Sequence, residues 1–167
     1  MINTKFYISK ATKLGNGKFV VDQSVEISEH FKGACYKKTD GLESYGKTRS
    51  YTETYPESPA SDVFFPDNLT RETTDFILTL CFFDINNHEE ETDAIKAVDE
   101  VYHEFVDYIS STYIKYWDNI RQRKVMLAYQ DATKLTTDKL YGIVYKEVNF
   151  KFTNIYGRSF PLDSTEF

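Results

Sequence analysis

The sequence predicts an α+β domain, a mostly antiparallel β-sheet or sandwich with one long packed helix. Three observations carry this reading. Alternating apolar runs near both ends of the chain have strand period. One stretch between them has the spacing of an amphipathic helix. The order of elements lacks the regular strand–helix alternation of a parallel α/β fold. A length of 167 residues fits a single domain over 1–167, with an extended loop or arm at about 29–73.

The N-terminal part reads as a β-hairpin. Phe6 and Ile8 alternate with polar neighbours, as do Phe19, Val21, Val25 and Ile27, and Gly15-Asn16-Gly17 between them is a turn signal. Strands are expected near 3–10 and 18–28. Residues 29–73 show no sustained period and hold Gly33, Gly41, Gly46, Pro56, Pro59 and Pro66, with a short strand at Tyr51–Tyr55. So long an irregular stretch is unusual inside a compact domain, and its tyrosines favour order gained against a neighbour. Residues 75–85 are apolar on both alternating faces and read as a central strand covered on both sides.

The helix is expected over 92–112. Ile95, Val98, Tyr102, Phe105, Ile109 and Tyr113 follow helical spacing, and Thr92 is the expected N-cap. Ser110-Ser111-Thr112 either ends it or lets it run on through Tyr113–Ile120. Trp117 is expected to pack the helix end against the sheet. Val125–Tyr129 reads as a short strand and Asp131–Asp138 as a polar turn region. Val144, Val148, Phe150 and Phe152 then mark a long strand with one buried face, closed by Gly157, and the tail after Pro161 reads as loose.

Composition restricts function without assigning one. The apolar runs are too short for a membrane span, and the N-terminus lacks the apolar core of a secretory signal. Cys35 and Cys81 make no disulfide framework, so a reducing compartment is expected. The net charge of −6 argues against broad nucleic-acid binding. Acid is concentrated between Asp84 and Asp107, where Lys96 is the one Lys or Arg. Such a run is ordinarily a solvated helix face; alternatively it repels something anionic, such as DNA moving through a channel.

One motif needs weighing. Gly41-Leu-Glu-Ser-Tyr-Gly46-Lys47-Thr48 matches G-x-x-x-x-G-K-[ST], the phosphate-cradling P-loop, and Leu80-Cys-Phe-Phe-Asp84 resembles the metal-holding strand that accompanies it. The context opposes it. Lys37-Lys38-Thr39-Asp40 precedes the motif where a buried strand is needed, and a β-branched, aromatic run stopped by Pro56 follows where a helix is needed. A nucleotide-binding protein using Gly41, Gly46, Lys47 and Thr48 is the alternative reading, and a protein-interaction domain is a third. His88-Glu89-Glu90-Glu91 and the set Asp99, His103, Asp107 are read as an exposed face, not as metal ligands.

Several phrases taken together carry a resemblance: Tyr51-Thr-Glu-Thr-Tyr55; Thr70-Arg-Glu-Thr-Thr-Asp75 leading into Leu78-Thr-Leu80; Ile114-Lys-Tyr-Trp-Asp118 with Arg121; and Tyr145 through Gly157. Over roughly residues 50–157 the chain resembles small virion proteins of tailed phages of gut bacteria, including the crass-like group, of tail-tube, distal-tail or neck-ring type. The resemblance implies a structural subunit of a tail or head–tail connector, in the virion and made in the host cytoplasm. It implies a ring of six or twelve copies stacked on neighbouring tail, neck or portal proteins. DNA would only pass through, and no cofactor, metal, catalysis or membrane is expected. For such a ring, Arg49, Tyr51, Tyr55, Phe64 and Phe65 are the expected subunit contacts, since aromatic and Arg anchors dominate interfaces. Phe64 and Phe65 equally suit covering the domain's own core. Glu100, Glu104 and Asp107 are the expected channel-facing acids.

Overall fold

The computed structural model describes residues 4–48, 51–54, 61–64 and 71–167. In chain order the elements are β1 (Phe6–Lys13), β2 (Phe19–Val21), β3 (Val25–Glu26), the single turn α1 (Ile27–His30), β4 (Ala34–Asp40), β5 (Tyr51–Thr54), β6 (Ser61–Phe64), β7 (Thr74–Phe83), α2 (Glu91–Ser110), β8 (Tyr113–Asp118), β9 (Arg123–Leu140), β10 (Ile143–Asn154) and β11 (Phe160–Pro161). The main sheet is antiparallel and runs β2-β1-β8-β9-β10-β7-β4, with β3 added on β1 and β11 on β9. A separate hairpin pairs β5 with β6.

The sheet does not stay open. Phe6 on β1 and Tyr36 on β4, near opposite ends of the strand order, stack at 3.5 Å, and Phe76 on β7 meets Tyr116 on β8 at 5.4 Å. Right-handed twist therefore curls the sheet until its two ends face each other as a sandwich. Ile8, Tyr116, Val125, Leu127, Phe152, Phe150, Val148 and the β7 set Phe76, Leu78, Leu80, Phe82 fill the space between.

The helix lies on this core. Ala94, Val98, Phe105 and Ile109 are buried at helical spacing, and Phe105 meets Phe150 at 4.8 Å and Phe31 at 5.1 Å. Ile95 sits at the rim, 36 % exposed, so the apolar stripe is rotated toward Ala94. Thr92 is not the cap: Glu90 takes the N-cap position without a side-chain hydrogen bond, and Thr92 lies inside the first turn, where Glu91 and Asp93 complement the helix dipole. At the other end the helix stops at Ser110, and Tyr113–Asp118 is a strand. Thr112 Oγ1 donates to the Ala11 carbonyl (2.7 Å), which ties the exit to β1.

Five further expectations change. β7 is next to the edge strand β4 rather than central, and its outward residues Ile77, Cys81 and Phe83 are only half-buried. Trp117 packs on the sheet's outer face, not at the helix end: it stacks on Tyr7 at 4.2 Å, and its indole donates to Ser24 Oγ at 3.3 Å. Asp131–Asp138 is no turn but the far half of β9. The tail is held: the buried Lys124 amine donates to the carbonyl of Ser164 (2.6 Å) and to that of Phe167, and Phe167 stacks on Tyr156. Burial pulls the Lys124 amine below its ordinary range, opposed by Asp163 and Glu166. Within 29–73, β4 and the β5–β6 hairpin supply more regular structure than the sequence pattern indicated.

The segment returning from that hairpin is clamped by two glycines. The Glu72 carbonyl would lie 1.8 Å from a Cβ on Gly46 and 2.0 Å from one on Gly157, and the Gly46 amide donates to the Gly157 carbonyl at 2.7 Å. Gly157 also has φ +64°. Gly157→Ala is therefore expected to cost about 2–4 kcal/mol in urea unfolding, since both backbone space and conformation are lost.

A second local lock closes the β7–α2 turn. Buried Asp84 accepts from the His88 amide (2.7 Å) and faces His88 Nδ1 (2.8 Å). Burial pushes its carboxyl up, but the hydrogen bonds from His88 and Asn86 outweigh this and leave it below the ordinary range. A depressed carboxyl stabilises the fold above its unfolded value of about 3.9, and that stability disappears as pH falls through the lower folded value. Asp84→Asn is expected to cost about 1 kcal/mol at pH 7 and to flatten the loss of stability as pH falls below the unfolded carboxyl's value of about 3.9, read from unfolding midpoints.

Candidate assembly interface

The open strand edges are the main unsatisfied feature of this fold. β8 pairs only with the first part of β9, from Ile114↔Leu127 to Trp117↔Lys124. β10 follows β9 to its end at Leu140↔Ile143. From Ala128 to Leu140 the side of β9 away from β10 thus has no partner among the described residues. The connecting residues Tyr141 and Gly142 have φ +50° and +79°, the two left-handed positions of a type I′ hairpin turn. Counting from that turn, the amides of Leu140, Asp138 and Thr136 point at β10, and those of Lys139 and Thr137 point outward. Asp138 Oδ1 takes the Lys139 amide (2.7 Å), and Asp131 Oδ1 takes that of Ala132 (2.8 Å). These aspartates partly guard the edge, a usual defence against indiscriminate pairing.

A second, unlike edge is that of β4, the end strand opposite β2 in the order. β4 pairs with β7 and with no other strand among the described residues. It carries Lys37 and Lys38, and Lys37 forms an ion pair with Glu147 across β7. The far half of β9 and its hairpin tip add apolar surface in Leu135, Leu140 and Tyr141, the last 97 % exposed.

Of the sequence-predicted contacts, Tyr51 and Phe64 are backbone register partners in the β5–β6 hairpin, while Arg49, Tyr55 and Phe65 lie outside the described residues. The hairpin is rooted by a bridge between Thr48 and Arg71. Glu100, Glu104 and Asp107 are exposed on α2, away from the core stripe. The neighbouring Asp99 is turned inward onto Lys146 of β10 at 2.6 Å, and Lys146 also sits over the Tyr102 ring. No group of three metal-ligating side chains occurs among the described residues.

The P-loop match has the wrong surroundings. A strand, β4, does lead into Gly41, but it is an edge strand, and Thr48 enters a bridge and then β5 where a helix must begin. Gly46 turns its amide to Gly157 rather than to a ligand cradle. Asp84, the would-be metal ligand, is occupied by His88. Gly41 and Gly46 are glycines because the backbones of Asp75 and Glu72 come close.

The sequence pattern concealed the β9 edge. Its two register shifts, near Glu147/Asn149 and Lys151/Phe152, break the alternation, and Lys134 at φ +51° sits in the first. The surviving signal was the β-branched set Thr133, Thr136 and Thr137.

Neither family models nor curated proteins match this chain. Among solved structures, a chain from "Structure of the Phage P2 Baseplate in its Activated Conformation with Ca" is similar at TM-score 0.50 and 14% identity, over 89% of this chain and 44% of that one. The SPP1 Dit (gp 19.1) protein, described as a hub adsorption apparatus in phages infecting Gram-positive hosts, is similar at TM-score 0.43 and 12% identity, over 87% and 48%. This chain spans less than half the length of either solved chain. The resemblance to tailed-phage virion proteins is thus matched by a likeness in fold to a phage baseplate chain. Among the described residues no helix is long and apolar enough to cross a membrane.

Proposed function

We propose that this chain is a structural subunit of a bacteriophage tail or head–tail connector that associates head-to-tail with copies of itself into a ring. The observation that carries the proposal is that two unlike open edges, β4 and the far half of β9, occur on one subunit. Two different edges that accept one another make a heterologous contact, and such contacts close into rings when the rotation allows. Main-chain hydrogen bonds would supply affinity along the added strand, and the exposed residues Leu135, Leu140 and Tyr141 would supply apolar contact. The likeness in fold to a baseplate chain supports a tail role over nucleotide binding.

In this reading the β5–β6 hairpin, with Arg49, Tyr51, Tyr55, Phe64 and Phe65 on and around it, lies across the next subunit. Glu100, Glu104 and Asp107 face the lumen, where like charge keeps DNA from sticking. Neighbouring tail, neck or portal proteins stack above and below, and the subunit does no chemistry. Immunogold electron microscopy of purified virions tests the assignment: label on the tail or neck is expected, and label confined to the capsid, or absent, overturns it. Reversing all three acids to Lys should slow DNA delivery; unchanged infectivity would put α2 on the outer wall.

A further inference from the structure

Cys35 and Cys81 lie 46 positions apart in sequence but directly opposite each other on β4 and β7. Both side chains are on the outward face of the sheet, since their neighbours Ala34, Phe82 and Leu80 point into the core. Cys35 is exposed, Cys81 half-buried, and both thiols are free. The Phe83 amide donates to the Gly33 carbonyl at 2.9 Å, so Gly33–Phe83 is a hydrogen-bonded pair. Two residues further along each strand, Cys35–Cys81 is another. Cα atoms in such pairs are about 5.5 Å apart, inside the range a disulfide spans. Cβ atoms of a hydrogen-bonded pair lie toward the wide end of about 4.5–5.5 Å, beyond what a relaxed bridge prefers.

We propose that Cys35 and Cys81 form a reversible dithiol site, closed to an intramolecular disulfide by a small disulfide oxidant such as oxidised glutathione. The exposed Cys35 thiolate attacks one glutathione sulfur and expels the other as a thiolate, giving a mixed disulfide. The Cys81 thiolate then attacks the Cys35 sulfur and expels the second glutathione. The two thiol protons end on the two released glutathiones, so one dithiol and one oxidised glutathione yield one protein disulfide and two reduced glutathiones. The slight excess in Cβ separation makes the bond strained and easily reduced, unlike a permanent structural bridge.

Local charge sets the pace. Burial raises both thiols above their ordinary range. Glu26 adds to this at Cys35; at Cys81 Glu147 raises the thiol further while Lys37 opposes it. Closure is therefore slow at neutral pH and faster in mild alkali. The bridge would join the edge strand β4 to β7 at one end of their ladder, and the segment carrying the β5–β6 hairpin departs from the other end, at Asp40 and Ile77.

The test is a glutathione redox titration of the full chain, read by thiol counting, intact mass and peptide mapping. Both thiols should disappear together with loss of two hydrogens, the chain remaining uncross-linked to others on a non-reducing gel. Strain in the bridge offsets part of the loop-closure gain, so the oxidised form should melt only about 2–5 °C higher. Cys35→Ser, at an exposed position, should leave only a glutathione adduct on Cys81. Independent glutathionylation of both cysteines in the parent chain, or cross-links only between chains, would overturn the proposal.

Discussion

Phe150→Ala is expected to destabilise the domain by about 3–5 kcal/mol, the range for removing a fully buried phenylalanine. Phe150 is 0 % exposed and sits where sheet and helix meet. Its ring contacts Phe105 at 4.8 Å, and Phe82 and Tyr102 at 6.1 Å each. Alanine there leaves a cavity that β10 cannot close by shifting, because it is held by β7 on one side and β9 on the other. Urea unfolding should show the midpoint falling with little change in slope, and the melting temperature should drop by about 8–15 °C. Glu104→Ala on the exposed face of the same helix should stay within about 0.5 kcal/mol of the parent.

Thr137→Pro is expected to leave the subunit folded and abolish its self-association. Thr137 is exposed, and its amide points away from β10, so proline removes no hydrogen bond of the observed ladder. It does remove a donor from the edge on which the proposed ring depends, and its ring obstructs an incoming strand. The melting temperature should change by no more than about 3 °C while sedimentation shows only monomer. Asp138→Ala, which frees the Lys139 amide, should act in the opposite direction and promote association.

The strongest periodic segments were legible in the sequence. The stripe Val98, Phe105, Ile109 located the helix because packing on a sheet demands that spacing, and Val148, Phe150, Phe152 located β10 for the same reason. What escaped was structure set by backbone contacts across long separations. β4 reads as irregular because its lysines belong to an edge strand, where polar residues are an asset. The far half of β9 reads as a turn because its exposed residues have no core to mark them and its bulges interrupt the period. Gly46 reads as part of a phosphate loop because the sequence does not reveal that Glu72 and Gly157 crowd against it. The short strand that begins at Tyr51 was visible in advance. The two open edges become visible only once strand order is known.

Native mass, measured by light scattering and native mass spectrometry at high protein concentration, tests ring formation most directly. A discrete closed oligomer of six or twelve copies that collapses to monomer in Thr137→Pro is the expected result. A parent chain that stays monomeric at every concentration, or an oligomer that Thr137→Pro leaves intact, would contradict assembly through the open edge of β9.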